Sequence, residues 1–225
     1  MTTQLPRYAI IVAGGSGSRM QASLPKQFLE IGSKPILMHT IQRFVDYDPE
    51  MRIVVVLPEA QVEYWRQLCT DHFFSAFHVV VPGGETRFQS VKNGLSVVSG
   101  AGVVAVHDGV RPFIDAETIG LAFKTAAEKG NAITAVALKD SIRKVTGKTS
   151  EAVDRKQYRL IQTPQCFRVE LLKQAYQQEE QEFFTDDASV VEQTGEVIHL
   201  VAGSYRNIKI TTPEDLLVAE AFLNG

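Results

Sequence analysis

The sequence of 225 residues predicts an α/β domain: a mostly parallel sheet with helices on both faces. Three observations carry that expectation. Short apolar, β-branched runs recur at Tyr8–Val12, Ile53–Leu57, His78–Val81, Val103–Val106 and Asn131–Leu138, the pattern of strands buried on both faces. Between them lie helical segments, such as Ile36, Leu37, Ile41 and Phe44 after Pro35, and a later stretch with Trp65 and Leu68. Turn-forming residues close several runs: Gly14, Gly15 and Gly17 after the first, Pro58 after the second, Pro82-Gly83-Gly84 after the third. Such a Rossmann-like alternation collects ligands at the carboxyl ends of the strands.

Composition narrows the class. Hydrophobic residues make up 44% and charged ones 22%, which argues against disorder, so residues 1–225 are expected to form one domain. A net charge of −3 gives no broad reason to bind nucleic acid, and any cations that matter must be local. Cys69 and Cys166 are too few for a disulfide framework or a zinc cluster, which points to a reducing cytoplasm. No apolar run approaches the roughly 20 residues of a membrane span, and no signal peptide is expected before the first strand. His72 and His78 lie among large apolar residues and are expected to be packing or surface groups.

The stretch after the first strand carries the strongest functional signal. Gly14, Gly15 and Gly17 let backbone N–H groups converge on a polyanion, and Arg19 and Lys26 bracket that loop with cations. It is not a dinucleotide fingerprint, because Met20 stands where glycine or alanine is needed, nor a P-loop, because Arg19-Met20 replaces Gly-Lys. A flexible strand-to-helix turn would explain the glycines alone, but not why Arg19 and Lys26 bracket them, which favours a phosphate-binding loop.

Further along, Thr86 with Gln89 forms a capping-box pattern after the Gly83-Gly84 turn, so a helix is expected there, with Ser90 facing either the core or a ligand. The next strand delivers Asp108 at its carboxyl end, where a carboxylate can hold Mg²⁺ beside a triphosphate or simply pair with Arg111. Asp115 caps a helix running to about Lys129. Segment 139–158 is too polar for the core. It reads as a protruding β-hairpin arm, with strands Ser141–Val145 and Glu151–Arg155 around a turn Thr146–Ser150, either a flap or an arm laid on another subunit. A helix follows near Glu170–Gln178, another is capped by Thr185 and ends near Gly195, and a last strand spans Val197–Val201. The final helix has Thr212 as its cap and Pro213 in its first position.

Several strings carry a family resemblance. Gly15-x-Gly17-x-Arg19-Met20 with Pro25-Lys26-Gln27 resembles the opening signature of nucleotidyltransferases acting on phosphorylated sugars and sugar alcohols. Gly83-Gly84-Glu85-x-Arg87-x-x-Ser90-Val91 resembles a second signature, found in the cytidylyltransferases of that group. With Thr163-Pro164-Gln165 and Asn207-Ile208-Lys209-x-Thr211-x-Pro213-Glu214-Asp215, the matches run in order from Ala9 to Asp215 and resemble the 2-C-methyl-D-erythritol 4-phosphate cytidylyltransferase family. One departure is Gly109-Val110, where two alanines are common.

The resemblance implies CTP and a polyol phosphate as substrates, Mg²⁺ bound near Asp108, and Arg19, Lys26 and Lys209 as the cations around the reacting phosphates. It further implies a nucleotide site of Ala13, Gly14, Gly15, Gly17, Gly83, Gly84, Glu85, Ser90 and Gly109. Asp108, Arg111, Ser141, Arg155, Thr163 and Thr185 are then the polyol-phosphate contacts, Ser141 and Arg155 reaching the neighbouring subunit of a homodimer through the arm. Two alternatives stand beside it. Ribitol 5-phosphate cytidylyltransferase shares much the same triphosphate loop, though Thr185–Ser189 and Val153-Asp154-Arg155 resemble the methylerythritol enzyme better. An idle nucleotide-binding regulator would keep the glycine loop but lose Lys26, Asp108 or Lys209, and all three are here.

Overall fold

The computed structural model describes residues 5–14 and 24–224. Chain order runs β1 (Arg7–Val12), β2 (Glu30–Ile31), β3 (Lys34–Pro35), α1 (Ile36–Tyr47), β4 (Arg52–Leu57), α2 (Val62–Asp71), β5 (Val79–Pro82) and α3 (Arg87–Ser96). It continues through β6 (Val103–Asp108), α4 (Ala116–Lys129), β7 (Asn131–Ala137), β8 (Arg143–Thr146), β9 (Thr149–Ala152), β10 (Arg159–Arg168), α5 (Val169–Ala175), α6 (Asp187–Glu192), β11 (Leu200–Ala202) and α7 (Pro213–Asn224). Seven strands form one sheet in the order β11-β7-β10-β6-β1-β4-β5. Neighbours are parallel except β10, which runs antiparallel to both β6 and β7.

Period-two side-chain alternation splits the strands between two cores. Ala9, Ile11, Ile53, Val55, Val103 and Ala105 pack with Phe44, Trp65 and Phe123 on one face. Tyr8, Ile10, Val54, Val56, Val104 and Val106 pack with Val91, Leu95 and Leu172 on the other. A smaller cluster of Ile31, Ile36, Val110, Phe113, Ile210 and Ala219 fastens α7 to the end of the sheet where the ligand edge lies. At that edge the chain leaving each strand is stitched to its neighbour: Ala13 N–H donates to Val56 O at 2.9 Å, Gly83 N–H to Leu57 O at 2.7 Å, and Gly109 N–H to Val12 O at 2.8 Å.

The protruding hairpin is present as β8 and β9, exposed along its whole length, with tighter limits than the pattern suggested. Gly147, at φ +59°, starts a two-residue turn, so Thr146 and Thr149 pair directly where a five-residue turn was expected. Arg155 consequently lies beyond β9, in a short 3-10 turn over Arg155–Gln157. The cap of α6 also differs from expectation. Asp186, not Thr185, accepts from Ser189 N–H at 2.9 Å, because Ser189 Oγ can close the reciprocal bond to Asp186 N–H and complete a capping box. The helix ends at Glu192, and β11 is shorter than Val197–Val201 and starts later, at Leu200. His78 packs as expected, accepting the indole N–H of Trp65 at 2.9 Å, while His72 stands 3.5 Å from Glu30.

Candidate active site

One pocket opens at the carboxyl ends of β1, β5 and β6. Val12, Ala13, Gly14, Lys26, Gln27, Gly84, Glu85, Thr86, Arg87, Ser90, Asp108, Val110 and Lys209 line it. Of the residues singled out from sequence, Ala13, Gly14, Lys26, Gly84, Glu85, Ser90, Asp108 and Lys209 therefore come together. Gly15, Gly17 and Arg19 lie outside the described residues.

The glycine turn owes its shape to close packing. Ser90, in the first turn of α3, accepts from Gly84 N–H at 3.1 Å, which fixes the turn across the helix start. A Cβ on Gly84 would lie 2.3 Å from Gln89 Cβ, and one on Gly83 would lie 2.9 Å from Ser90 Oγ. Thr86 caps α3 by accepting from Gln89 N–H, and Gln89 reaches back to Glu85 N–H at 3.0 Å, one residue earlier than in the usual box. Gly109 sits where a Cβ would meet Ala13 Cβ at 2.8 Å, so only a residue without a side chain lets the loops after β1 and β6 pack this closely. Gln27 anchors the start of its own turn by donating to Ala13 O at 2.7 Å, which ties Lys26 to the same floor.

Charge is concentrated on Asp108. Lys209 Nζ lies 3.0 Å and Arg111 Nε 3.2 Å from Asp108 Oδ2. Burial alone would raise this carboxyl, but Lys209, Arg87 and Arg111 outweigh it and hold it well below the usual carboxylate range. Arg111 also donates to Asn207 O at 2.8 Å, which draws the Lys209 segment in. Thr163 is buried, and its hydroxyl oxygen accepts from Asp108 N–H at 3.0 Å. The residue expected to meet the substrate thus first serves the protein's own backbone.

Ser141, Arg155 and Thr185 are exposed and do not line this pocket. Arg155 donates to Lys139 O across the base of the arm. Arg87 is the main site residue that sequence reasoning left out. It lines the pocket and makes a bidentate pair with the fully buried Asp187, at 3.0 and 2.6 Å, and Asp187 also accepts from Tyr176 Oη at 2.6 Å. Burial would favour the neutral guanidine, yet Asp187 and Asp108 keep it charged. Its signal was in plain sight as the arginine of Gly83-Gly84-Glu85-x-Arg87.

Comparison with known proteins fits this geometry. A sequence model described as 2-C-methyl-D-erythritol 4-phosphate cytidylyltransferase matches residues 8–225. The chain belongs to that family. A relative from Bacteroides thetaiotaomicron, named 2-C-methyl-D-erythritol 4-phosphate cytidylyltransferase, is 54% identical over 214 residues, covering 95% of this chain and 98% of the relative. Two solved cytidylyltransferases of the family share the fold. A 4-diphosphocytidyl-2C-methyl-D-erythritol synthase from Anaerococcus prevotii superposes with TM-score 0.83 at 28% identity, covering 98% of this chain and 97% of that one. The 2-C-methyl-D-erythritol 4-phosphate cytidylyltransferase from Thermus thermophilus gives 0.79 at 28% identity, covering 99% and 100%. Coverage is near-complete in both directions, so this cytidylyltransferase-family chain shares their fold over nearly its full length. Among the described residues no helix is long and apolar enough to cross a membrane.

Proposed function

We propose that the pocket joins CTP to 2-C-methyl-D-erythritol 4-phosphate, giving 4-diphosphocytidyl-2-C-methyl-D-erythritol and pyrophosphate in isoprenoid biosynthesis. The observation that carries the reading is the convergence of Gly14, Lys26, Ser90, Asp108 and Lys209, from five separate segments, on one pocket. The relatives above are named for the methylerythritol compounds, which disfavours the ribitol reading. Retention of Lys26, Asp108 and Lys209 at that pocket disfavours an idle regulator.

The reaction needs no protein nucleophile, since the substrate's phosphate monoester dianion attacks the α-phosphorus of CTP and pyrophosphate leaves in line. The protein must overcome repulsion between polyanions and stabilise charge gathering on the five-coordinate phosphorus and the leaving group. Lys26 and Lys209, with Arg19, are the cations for that task, Lys26 on the triphosphate and Lys209 beside the reacting phosphates. Gly14, with Gly15 and Gly17, offers backbone donors to the triphosphate, and Gly109 abuts the ribose. The turn at Gly83, Gly84 and Glu85 has its N–H groups spent on Leu57 O, Ser90 Oγ and Gln89 Oε1, so it offers carbonyl acceptors to the cytosine edge, and the Ser90 hydroxyl offers its proton as a donor.

Asp108 is the protein's carboxylate for Mg²⁺. The described residues hold no group of three or more histidine, cysteine or carboxylate side chains that could bind a metal alone. Asp108, held ionised at the pocket, would supply one carboxylate oxygen, the remaining ligands coming from substrate phosphates and water. When bound, magnesium would neutralise triphosphate charge and withdraw electron density from phosphorus.

The 139–158 arm supports a homodimer: its hairpin forms a sheet of its own, exposed throughout, with Val145 among its exposed apolar residues. In that assembly Ser141 and Arg155 contact the polyol phosphate in the neighbour's pocket, and Thr185 contributes a hydroxyl to the polyol phosphate. Two lone cysteines and the absence of a spanning helix among the described residues fit the cytoplasm. Pyrophosphate release with CTP and a panel of polyol phosphates tests the reading. Methylerythritol phosphate should be used far faster than ribitol 5-phosphate, and the reverse order would overturn it.

A further inference from the structure

His107 precedes Asp108 on β6, and alternation along the strand sends the two side chains to opposite faces. The imidazole is fully buried, edge to face with Phe44 at 5.0 Å, on the α1 side of the sheet. A ring placed there lies behind the pocket that Asp108 faces. Its two nitrogens are nonetheless both engaged with the site: Nε2 is 3.1 Å from Arg111 O, and Nδ1 is 3.0 Å from Thr163 Oγ1.

The donor directions follow from the partners. A carbonyl oxygen only accepts, so Nε2 carries a proton and donates to Arg111 O. Nδ1 then accepts the Thr163 hydroxyl proton, and Thr163 Oγ1 accepts from Asp108 N–H. The chain reads Asp108 N–H to Thr163 O–H to His107 to Arg111 O, every donor pointing the same way, an arrangement in which each bond strengthens the next. Its two ends are the two ends of one turn, in which Arg111 N–H donates to Asp108 O at 3.1 Å while their side chains pair. Thr163 is free to do this because the β10–β7 ladder is interrupted between Ile161 and Gln165. Asn207 closes the far side, donating from Nδ2 to Thr163 O at 2.7 Å and accepting from Arg111.

We propose that His107 is a positioning residue for the reaction, acting through Thr163 to brace the Asp108–Arg111 turn from behind the sheet. The proposal rests on the reading of Asp108 as a site residue. A leucine would fill the space beside Phe44 without the cost of burying two ring nitrogens; what the imidazole adds is orientation of the backbone that carries the carboxylate.

The test uses three substitutions in the full chain. His107→Phe keeps a ring against Phe44 and removes both nitrogens. Thr163→Val removes the hydroxyl at nearly constant volume, and Thr163→Ser retains it. kcat and the KM for CTP are measured per folded molecule, with Asp108→Asn as a control. His107→Phe and Thr163→Val should each lower kcat by about tenfold, the order expected for a buried hydrogen bond left unmade. The KM for CTP should stay within about twofold, since the brace lies away from the base and the triphosphate loop. Thr163→Ser should stay close to the wild-type kcat. The double variant should lose about as much as the worse single one, because both changes cut the same chain. Unchanged kcat in His107→Phe or in Thr163→Val, or losses that multiply in the double variant, would overturn the brace. Should His107→Phe not fold, His107→Leu, which fills the space beside Phe44, takes its place in the same comparisons. Full activity of Asp108→Asn would instead overturn the assignment of Asp108 to the site, while a crippled Asp108→Asn beside a fully active Thr163→Val sinks only the brace.

Discussion

The ammonium of Lys209 lies 3.0 Å from Oδ2 of Asp108, joining the segment before α7 to the end of β6. The Lys209 side chain keeps 42% of its exposure against 12% for Asp108, and without it Arg111 and Arg87 still face the buried carboxylate, so the fold does not depend on the ammonium alone. A polyanion entering the pocket meets this ammonium already aimed at the place where negative charge must collect. Lys209→Ala should therefore separate stability from rate. The melting temperature should stay close to wild type, while kcat falls by roughly tenfold to a hundredfold, the worth of one charge-assisted phosphate contact. Turnover and thermal unfolding of the same preparation measure both, and near-normal turnover would remove Lys209 from the mechanism.

Lys26 differs in its setting, since Gln27 fastens its turn to Ala13 O at the pocket floor. Lys26→Ala should leave that anchor in place and cut kcat/KM for CTP by at least about tenfold. Circular dichroism and turnover together check it. A folded variant with wild-type kcat/KM would exclude the lysine from triphosphate binding.

Base recognition makes a sharper demand. On the proposed reading the base meets the Gly84 turn, which Ser90 holds and which closes against Gln89. CTP should be used well ahead of UTP, which reverses donor and acceptor at ring position four, and ahead of both purine nucleotides, which are too large. Gly84→Ala would force its methyl against Gln89, move the turn, and raise the KM for CTP by about tenfold or more, as one lost polar contact would. Equal use of ATP and CTP would sink the pyrimidine pocket.

Sequence alone pointed to Gly14 and Lys26, which the structure brings to one pocket, because a polyanion needs backbone donors and cations close together in the chain; Gly15, Gly17 and Arg19 lie outside the described residues. It also revealed β1, β4, β6 and β7, since residues buried on both faces leave unbroken apolar runs. Resemblance, not pattern, singled out Lys209, because an isolated lysine is usually a surface group. β10 was not visible as a strand: Gln162, Thr163, Pro164 and Gln165 interrupt its apolar residues, and only its pairing with β6 and β7 reveals it and its antiparallel direction. The cap of α6 was missed by one residue because Thr185 and Asp186 are both good caps, and Ser189 decides between them. His107 gave no signal, since one buried histidine beside an acid has no spacing to betray it.

Acid should weaken the fold before it protonates the carboxylates. Burial lowers His39 and His78, and takes His107 down to about 4. A histidine whose folded value is depressed costs nothing above its unfolded value near 6.5. Below that, the unfolded chain binds a proton that the native state refuses, so stability falls until the folded value is reached. The slope is at most about 1.4 kcal/mol per pH unit for each histidine. In the native state His78 Nδ1–H donates to Ala76 O while Nε2 accepts from Trp65. His78→Gln should therefore be less stable at pH 7.5 and lose less on going to about pH 5. Urea unfolding across that range measures both, and parallel curves for variant and wild type would show that His78 does not titrate with folding.

The arm yields the most discriminating experiment. If 139–158 crosses to a second subunit, each pocket holds Lys26 of one chain and Arg155 of the other, and two-fold symmetry makes the exchange mutual. Lys26→Ala and Arg155→Ala should each be nearly inactive alone. In their mixed dimer one pocket combines both defects. The other takes Lys26 from the Arg155→Ala chain and Arg155 from the Lys26→Ala chain, which restores a complete set. Random reassembly makes about half the dimers mixed, each with one good pocket, so co-refolding equal amounts should recover roughly a quarter of wild-type activity. Lys139 and Arg155 already touch at the base of the arm within one chain, so Arg155 could instead serve its own subunit. In that case every pocket in the mixture keeps one defect, and the co-refolded activity stays at the average of the two variants.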